Sequence, residues 1–199
     1  FLMIFLLQHF IINITSVFSE DIFNMLSHFM GTNFLVQFIL QPILIAGVLF
    51  HFIMGFYLEI QNRKAVKYEY QKEKGSANST WMSRNMITSG LVILAFLVLH
   101  FIDFWVPEMN HKYIEFLPED PNRYFKHLVH KFENPLRVAM YCLAFVLLAL
   151  HLLHGFTSSL RSMGTNKSYV SSAKTAGIIY SIGIPLGFCV IAIFHYLNQ

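Results

Sequence analysis

The chain has 199 residues, of which 55% are hydrophobic and only 13% are charged, and its mean hydropathy is +0.52. Because an average soluble domain has about 25% charged residues, this composition excludes a disordered chain and a nucleic-acid-binding arm and predicts a membrane protein. The net charge of +3 is too small to indicate a polyanion partner. Cys142 and Cys189 lie within apolar runs, which favours small buried side chains over a disulfide or a metal thiolate.

Five apolar segments follow one another and predict an all-α integral membrane bundle that forms one domain, residues 1–199. A helix crosses about 30 Å of hydrocarbon with roughly 20 residues, and it satisfies its backbone groups internally. The predicted spans one to five are residues 1–17, 38–60, 86–106, 136–160 and 175–197. We expect that the first is short because the natural beginning of its helix precedes the sequence.

Basic residues are unequally distributed among the four connections between these spans. The second and fourth connections hold nine Lys and Arg residues, whereas the first and third hold five. Because cytoplasmic loops carry the excess of positive charge, we expect the second and fourth connections, and the missing N-terminus, on the cytoplasmic side of a bacterial inner membrane. Residues 122–133 of the third connection mix polar and apolar side chains at helical spacing, which predicts a short helix on the outer surface.

Four histidines, His9, His51, His100 and His151, lie in spans one to four. Ionisable side chains are costly inside a bilayer and suggest a function. At 1.5 Å per residue, His51 and His151 each lie roughly 13 Å from the cytoplasmic end of their helix. His9 and His100 form a second layer near the outer ends, roughly 8 Å away from the first layer along the membrane normal.

Two imidazoles at one depth on neighbouring helices can hold one haem iron from both sides. We therefore predict two b haems, which could only transfer electrons because both axial positions would be filled. Gly55 and Gly155 follow the inner histidines at i+4, on the same helix face, and leave room for a macrocycle. His154 is an alternative to His151, less favoured because no glycine follows it at i+4. One histidine alone in an apolar helix is more often structural, but four that match in depth favour ligation.

Several segments are similar to a known family: residues 58–65, 81–86, 99–105, 134–135 and 150–156. They resemble the single-chain cytochrome b subunit of succinate dehydrogenase/fumarate reductase, respiratory complex II, which belongs to the tricarboxylic acid cycle, and the likeness covers essentially the whole chain. The resemblance implies five transmembrane helices, two b haems and a quinone, usually menaquinone. It also implies cytoplasmic docking of an iron–sulfur subunit and a flavoprotein subunit with covalent FAD, where the dicarboxylate chemistry occurs.

The family pattern also bears on individual positions. In the family, helices one and three hold one haem and helices two and four hold the other, which is the pairing that depth alone predicts here. Some members carry a glutamate two residues before the fourth-helix ligand, where this chain has Ala149. A proton path through that position is therefore not expected.

Charged and titratable residues supply further candidates. Arg84 and Arg161, at the cytoplasmic ends of spans three and four, could bind propionates of the inner haem, although ordinary membrane anchoring explains each equally well. Asp103 is the leading candidate for quinone protonation, because a carboxyl group at that depth needs a role or a partner. Additional quinone candidates near the outer surface are Glu20, Asp21, His28 and Trp105.

Three other functions stay open at this level. The chain could be another di-haem, quinone-reactive cytochrome b, or a membrane anchor without haem. A transporter with histidine relays is less favoured, because no pair of Gly/Pro breaks recurs in the two halves of the chain. The basic residues of 63–84 predict contact with the iron–sulfur partner or, equally, with lipid headgroups.

Overall fold

A computed structural model describes residues 1–65, 86–162 and 167–199, with side chains for all of these except residues 63, 65, 161, 162 and 167–171. None of these described residues forms a strand, so the chain is all-α over this part, as predicted.

Seven α-helices of ten residues or more occur within the described ranges. They are α1 (Leu2–Ile14), α2 (Glu20–Thr32), α3 (Gln41–Ala65), α4 (Met86–His100), α5 (Arg123–Phe132), α6 (Pro135–Ser162) and α7 (Lys167–Leu197). A 3₁₀ turn, Thr15–Val17, extends α1, and a π turn, Val36–Leu40, leads into α3. The α4 helix continues through a π turn (Phe101–Trp105), an α turn (Val106–Met109) and a second π turn (Asn110–Ile114).

Four helical segments of the described chain are long and apolar enough to cross a membrane. They are Val36–Asn62, Met86–Ile114, Pro135–Leu160 and Ser172–Leu197. These segments give the chain the character of a multi-pass membrane protein. The first apolar helix, Leu2–Val17, is shorter, so the structure does not confirm the predicted fifth span.

The connections contain more helix than the sequence predicts. The short helix predicted over 122–133 is present as α5, but α2 lies within the predicted first loop. Ser19 caps α2, since its Oγ accepts a hydrogen bond from the backbone N–H of Ile22 at 3.3 Å, and Glu20 and Asp21 stand in the first turn, where carboxylates favour the helix dipole.

The core lies where α6 and α7 pack together, beneath α5. Tyr141 and Phe145 of α6, Ile191 of α7 and Phe132 of α5 are all buried there. By contrast, no described residue of α3 is buried, so the helix that carries His51 lies at the edge of the bundle.

The two cysteines are free and half-buried. Cys189 Sγ lies 3.8 Å from the backbone carbonyl of Cys142, so this thiol contacts α6 from α7. Both side chains are less buried than the sequence predicted.

Candidate functional site

The fold brings the four histidines together in two pairs contributed by four helices. His9 of α1 faces His100 at the end of α4, with ring centroids 5.8 Å apart and ring planes at 87°. His51 of α3 faces His151 of α6, with centroids 6.1 Å apart and planes at 77°. These are the partners that depth along the helices predicts.

The spacing of each pair is close to that of two ligands on one metal ion. A metal–imidazole bond of about 2.0 Å, plus the distance from nitrogen to ring centre, places two opposed imidazole centroids about 6.3 Å apart. Within residues 1–65, 86–162 and 167–199, no three His, Cys, Asp or Glu side chains cluster as they would around a metal held by protein alone. Each ring of a pair could offer one nitrogen to the iron of a porphyrin.

Aromatic rings enclose the His9–His100 pair. Phe5 stacks on His9 with centroids 5.5 Å apart, and Phe188 lies 5.6 Å from the same ring. Phe96 stacks on His100 at 5.9 Å, and Phe104 lies 5.2 Å from it. The pair therefore occupies an apolar, aromatic site of the kind that a flat hydrophobic cofactor needs.

Hydrogen bonding distinguishes His100 from a purely structural histidine. His195 on α7 is buried, and its Nε2 lies 2.9 Å from Ser16 Oγ, which is the usual solution for a buried imidazole. In contrast, Nδ1 of His100 is buried with no hydrogen-bond partner among the described side chains and backbone. On the other ring of the pair, the Asn13 amide lies 3.4 Å from Nδ1 of His9.

The His51–His151 pair is more open. His51 is exposed and His151 is half-buried. Ser89 Oγ, on α4, lies 3.3 Å from Nδ1 of His151, so a hydroxyl can orient this ring through one of its two nitrogens. Sequence reasoning missed Ser89, because nothing local to α4 indicates that it meets a residue 62 positions later.

Three glycines, which have no side chain, lie near this second pair. A Cβ atom built on Gly55, one turn after His51, would meet nothing within 4 Å. A Cβ on Gly155 would lie 3.8 Å from Met86 Cε, and a Cβ on Gly90, which the sequence did not single out, would lie 3.9 Å from His151 Cε1. Gly55 therefore borders open space, whereas Gly155 and Gly90 lie at ordinary packing distance from Met86 and His151.

Among the ring contacts recorded for the described residues, His51 meets His151 and not His154. This geometry favours His151 over His154 as the partner of His51. The choice rests on ring proximity, in addition to the glycine that follows His151 at i+4.

Asp103 is fully buried in the π turn that follows His100. Its carboxylate pairs with Arg137 and accepts a hydrogen bond from Tyr141 Oη at 2.9 Å, and Lys131 Nζ lies 3.9 Å away. His127 Nε2 donates to the Asp103 backbone carbonyl at 2.7 Å. Asp103 thus has partners within the protein, which accounts for a carboxylate at this position, and its proposed role toward quinone stays a prediction.

A second polar cluster, which we call the Glu108 cluster, consists of Glu108, Lys112, Arg123, Tyr124 and His28. Glu108 pairs with Lys112 at 2.5 Å and with Arg123, and the His28 ring lies 6.2 Å from the ring of Tyr124. Burial, followed by the charge of Glu108, raises the pKa of Tyr124 to about 12. Sequence reasoning found only His28 of this group, because its other members look like ordinary loop charges.

The predicted quinone residues do not converge on one site. Glu20 and Asp21 are exposed in the first turn of α2, and His28 Nε2 lies 4.0 Å from Glu119 Oε2. Trp105 is 38% exposed and packs on Phe101 with centroids 5.8 Å apart. The contacts recorded for the described chain join none of these residues to Asp103.

The proposed propionate ligands fall beyond what the structure describes. Arg84 lies outside the described residues, and the side chain of Arg161 is not described. Comparison of the chain with protein-family models, with curated proteins and with solved structures finds no match.

Proposed function

We propose that this chain is the membrane anchor and electron-transfer subunit of a succinate:quinone oxidoreductase, with two b haems each held by two histidines. His9 and His100 would hold one haem, and His51 and His151 the other. Each haem, once bound, supplies a one-electron carrier without an open coordination site.

The observation that carries this proposal is the pairing of four imidazoles across four helices at 5.8 and 6.1 Å. Ligation of a haem iron from both sides requires one imidazole pair for each haem, and the four helices supply two such pairs. The open space at Gly55, one turn after His51, supports the same interpretation.

Residues around the two pairs would orient the histidine rings and exclude water from them. Ser89 would fix the plane of the His151 ring, and the aromatic side chains around His9 and His100 would keep water from that pair. Both effects favour the neutral, ligating form of imidazole.

The choice of enzyme rests on the resemblance in the sequence motifs. It supports an iron–sulfur subunit and a flavoprotein subunit docked on the cytoplasmic side. It also supports menaquinone as the electron partner at the other end of the electron-transfer path. Succinate oxidation or fumarate reduction would take place in the flavoprotein subunit. Another di-haem, quinone-reactive cytochrome b would use the same histidines with different partners.

The test is the ratio of haem to protein in the purified membrane subunit, measured as the pyridine haemochromogen. We expect two haems per chain, and His9→Ala and His51→Ala should each remove about half of the pigment, because each deletes one of two ligand pairs. His154→Ala is the matched control beside His151, and His130→Ala controls for loss of an exposed histidine. A chain without haem, or a His51→Ala variant with all its pigment, would contradict the proposal.

Purification from the native membrane separates the two enzyme assignments. A succinate:quinone oxidoreductase should copurify with a subunit that retains flavin fluorescence in a denaturing gel, since covalent FAD survives denaturation. Two haems without such a subunit would favour the alternative cytochrome b.

A further inference from the structure

The α2 helix presents four distinguishable sides, and three of them have partners within the chain. One side packs on α5, where Phe23 and Asn24 are buried. Asn24 Oδ1 accepts the backbone N–H of Phe125 at 2.8 Å, and the rings of Phe23 and Phe125 lie 6.3 Å apart.

Two further sides indicate how α2 is rotated about its axis. At about 100° per residue, Asp21, His28 and Thr32 share a polar side, and His28 and Thr32 from this side line the small cavity beside the Glu108 cluster. Leu26 and Met30 lie on the opposite side, toward α1, where Gln8 Nε2 donates to Met30 Sδ at 3.3 Å. The polar side therefore faces the ends of the helices, and the Met30 side faces the apolar bundle.

The fourth side, opposite the face that packs on α5, is apolar and has no cover in the described chain. It consists of Ile22, Met25 and Phe29, which are 47%, 62% and 54% exposed, and Phe18, which is 80% exposed, continues it just before the N-cap residue Ser19. Intervals of three and four residues place the three α2 residues on one face. We call this face the α2 stripe.

We propose that α2 lies along the bilayer surface and that the α2 stripe inserts among the lipid acyl chains at the end of the bundle where α5 lies. The stripe lies between the polar side and the side that meets α1, so at the boundary between headgroups and acyl chains its side chains can reach the acyl chains beside the bundle. This inference does not depend on the proposed haems.

Continuity with the lipid-facing surface of the spans identifies lipid as the occupant. Ile4, Leu7 and Ile11 of α1 form an exposed apolar row that leads toward Phe18, and Phe34 and Phe38 continue from Phe29 into the start of α3. Exposed apolar residues of a membrane-spanning segment meet acyl chains, and Phe38 belongs to the candidate span Val36–Asn62, so the stripe adjoins a lipid-facing surface. A second copy of the chain on the stripe would have to displace lipid from part of that surface.

Spin labelling tests the proposal directly. In a Cys142→Ser/Cys189→Ser background, single cysteines at Met25 and Phe29 carry a nitroxide, and the matched controls are Asp21→Cys on the polar side and Glu119→Cys on the loop. The full chain is reconstituted in vesicles of phosphatidylcholine and phosphatidylglycerol. Collision rates with oxygen, which concentrates in lipid, and with a water-soluble nickel chelate are then measured.

We expect the ratio of oxygen to nickel collisions to be at least about threefold higher at positions 25 and 29 than at positions 21 and 119, because the former would lie below the headgroups. High nickel accessibility at 25 and 29 would overturn the proposal and place the stripe in water. Low accessibility to both reagents, with dipolar broadening between labels, would overturn it in favour of a second copy. Two labelled positions keep the test decisive if one variant fails to fold.

Discussion

Asp103 offers a sharp test of how the bundle is held together near His100. The carboxylate is fully buried and compensates Arg137, with Tyr141 and Lys131 beside it. Asp103→Asn keeps the size of the side chain but removes its charge, so that Arg137 loses its counterion. Removing one partner of a fully buried pair costs about 3–5 kcal/mol.

The expected cost is lower here because the two cations beside Asp103 are partly exposed. The side chain of Arg137 is 29% exposed and that of Lys131 is 23% exposed, so both cations can regain some hydration. We therefore expect a loss of about 2–3 kcal/mol of unfolding free energy. For a chain of this size the melting temperature should fall by about 4–12 °C.

The assay is thermal unfolding of the purified chain in detergent, followed by circular dichroism. Glu133→Gln is the matched control, because its pair with His130 is exposed and should contribute less than about 0.5 kcal/mol. Adding Arg137→Gln to Asp103→Asn should recover part of the loss, since the uncompensated cation is then gone. An Asp103→Asn variant that melts with the wild type but loses quinone turnover would refute the structural role and favour the predicted protonation role.

Three further predictions follow from single contacts. Gly187→Ala should lower stability by about 1–3 kcal/mol in thermal unfolding, because its Cβ would lie 2.3 Å from the Phe10 ring, whereas the control Gly183→Ala meets nothing within 4 Å and should be neutral or slightly stabilising. Burial, followed by the charges of Lys131 and Arg123, lowers the pKa of His127 in the folded chain. Because the unfolded state then binds the proton better, the free energy of unfolding should fall as the pH drops below about 6.5. Melting curves of His127→Gln should lack this part of the decline. Ser89→Ala should weaken retention of the proposed haem at His51 and His151 roughly tenfold on dilution. Haem absorbance measures this loss, and Thr88→Ala, at an exposed position, is the control. Equal retention in both variants would show that Ser89 does not contribute to the site.

Helix geometry explains why the histidine pairs could be predicted. A fixed rise per residue converts a position in a span into a depth, so His51 and His151 could be matched without knowing how α3 and α6 pack. The same reasoning could not supply Ser89, because its contact with His151 depends on how α4 is rotated against α6. Arg137 pairs with Asp103 across 34 residues, and no local pattern indicates that contact.

The α2 helix shows where pattern reasoning failed. Its apolar residues divide between a face on α5 and the exposed stripe, so the segment does not have the single apolar face of a surface helix in water. Its capping residue, Ser19, and the acids that follow are also common in loops. The helix that contains span three continues beyond the predicted end near 106, since two π turns carry it on to Ile114 through polar residues.

Electron paramagnetic resonance of the oxidised, purified chain tests the central claim most directly. Two imidazoles with nearly perpendicular planes on one ferric haem give a low-spin signal of large anisotropy, and both pairs have this arrangement, at 87° and 77°. We predict two such signals, one absent from His9→Ala and the other absent from His51→Ala. No haem signal, or a high-spin signal from an iron with an open position in the unaltered chain, would contradict the account.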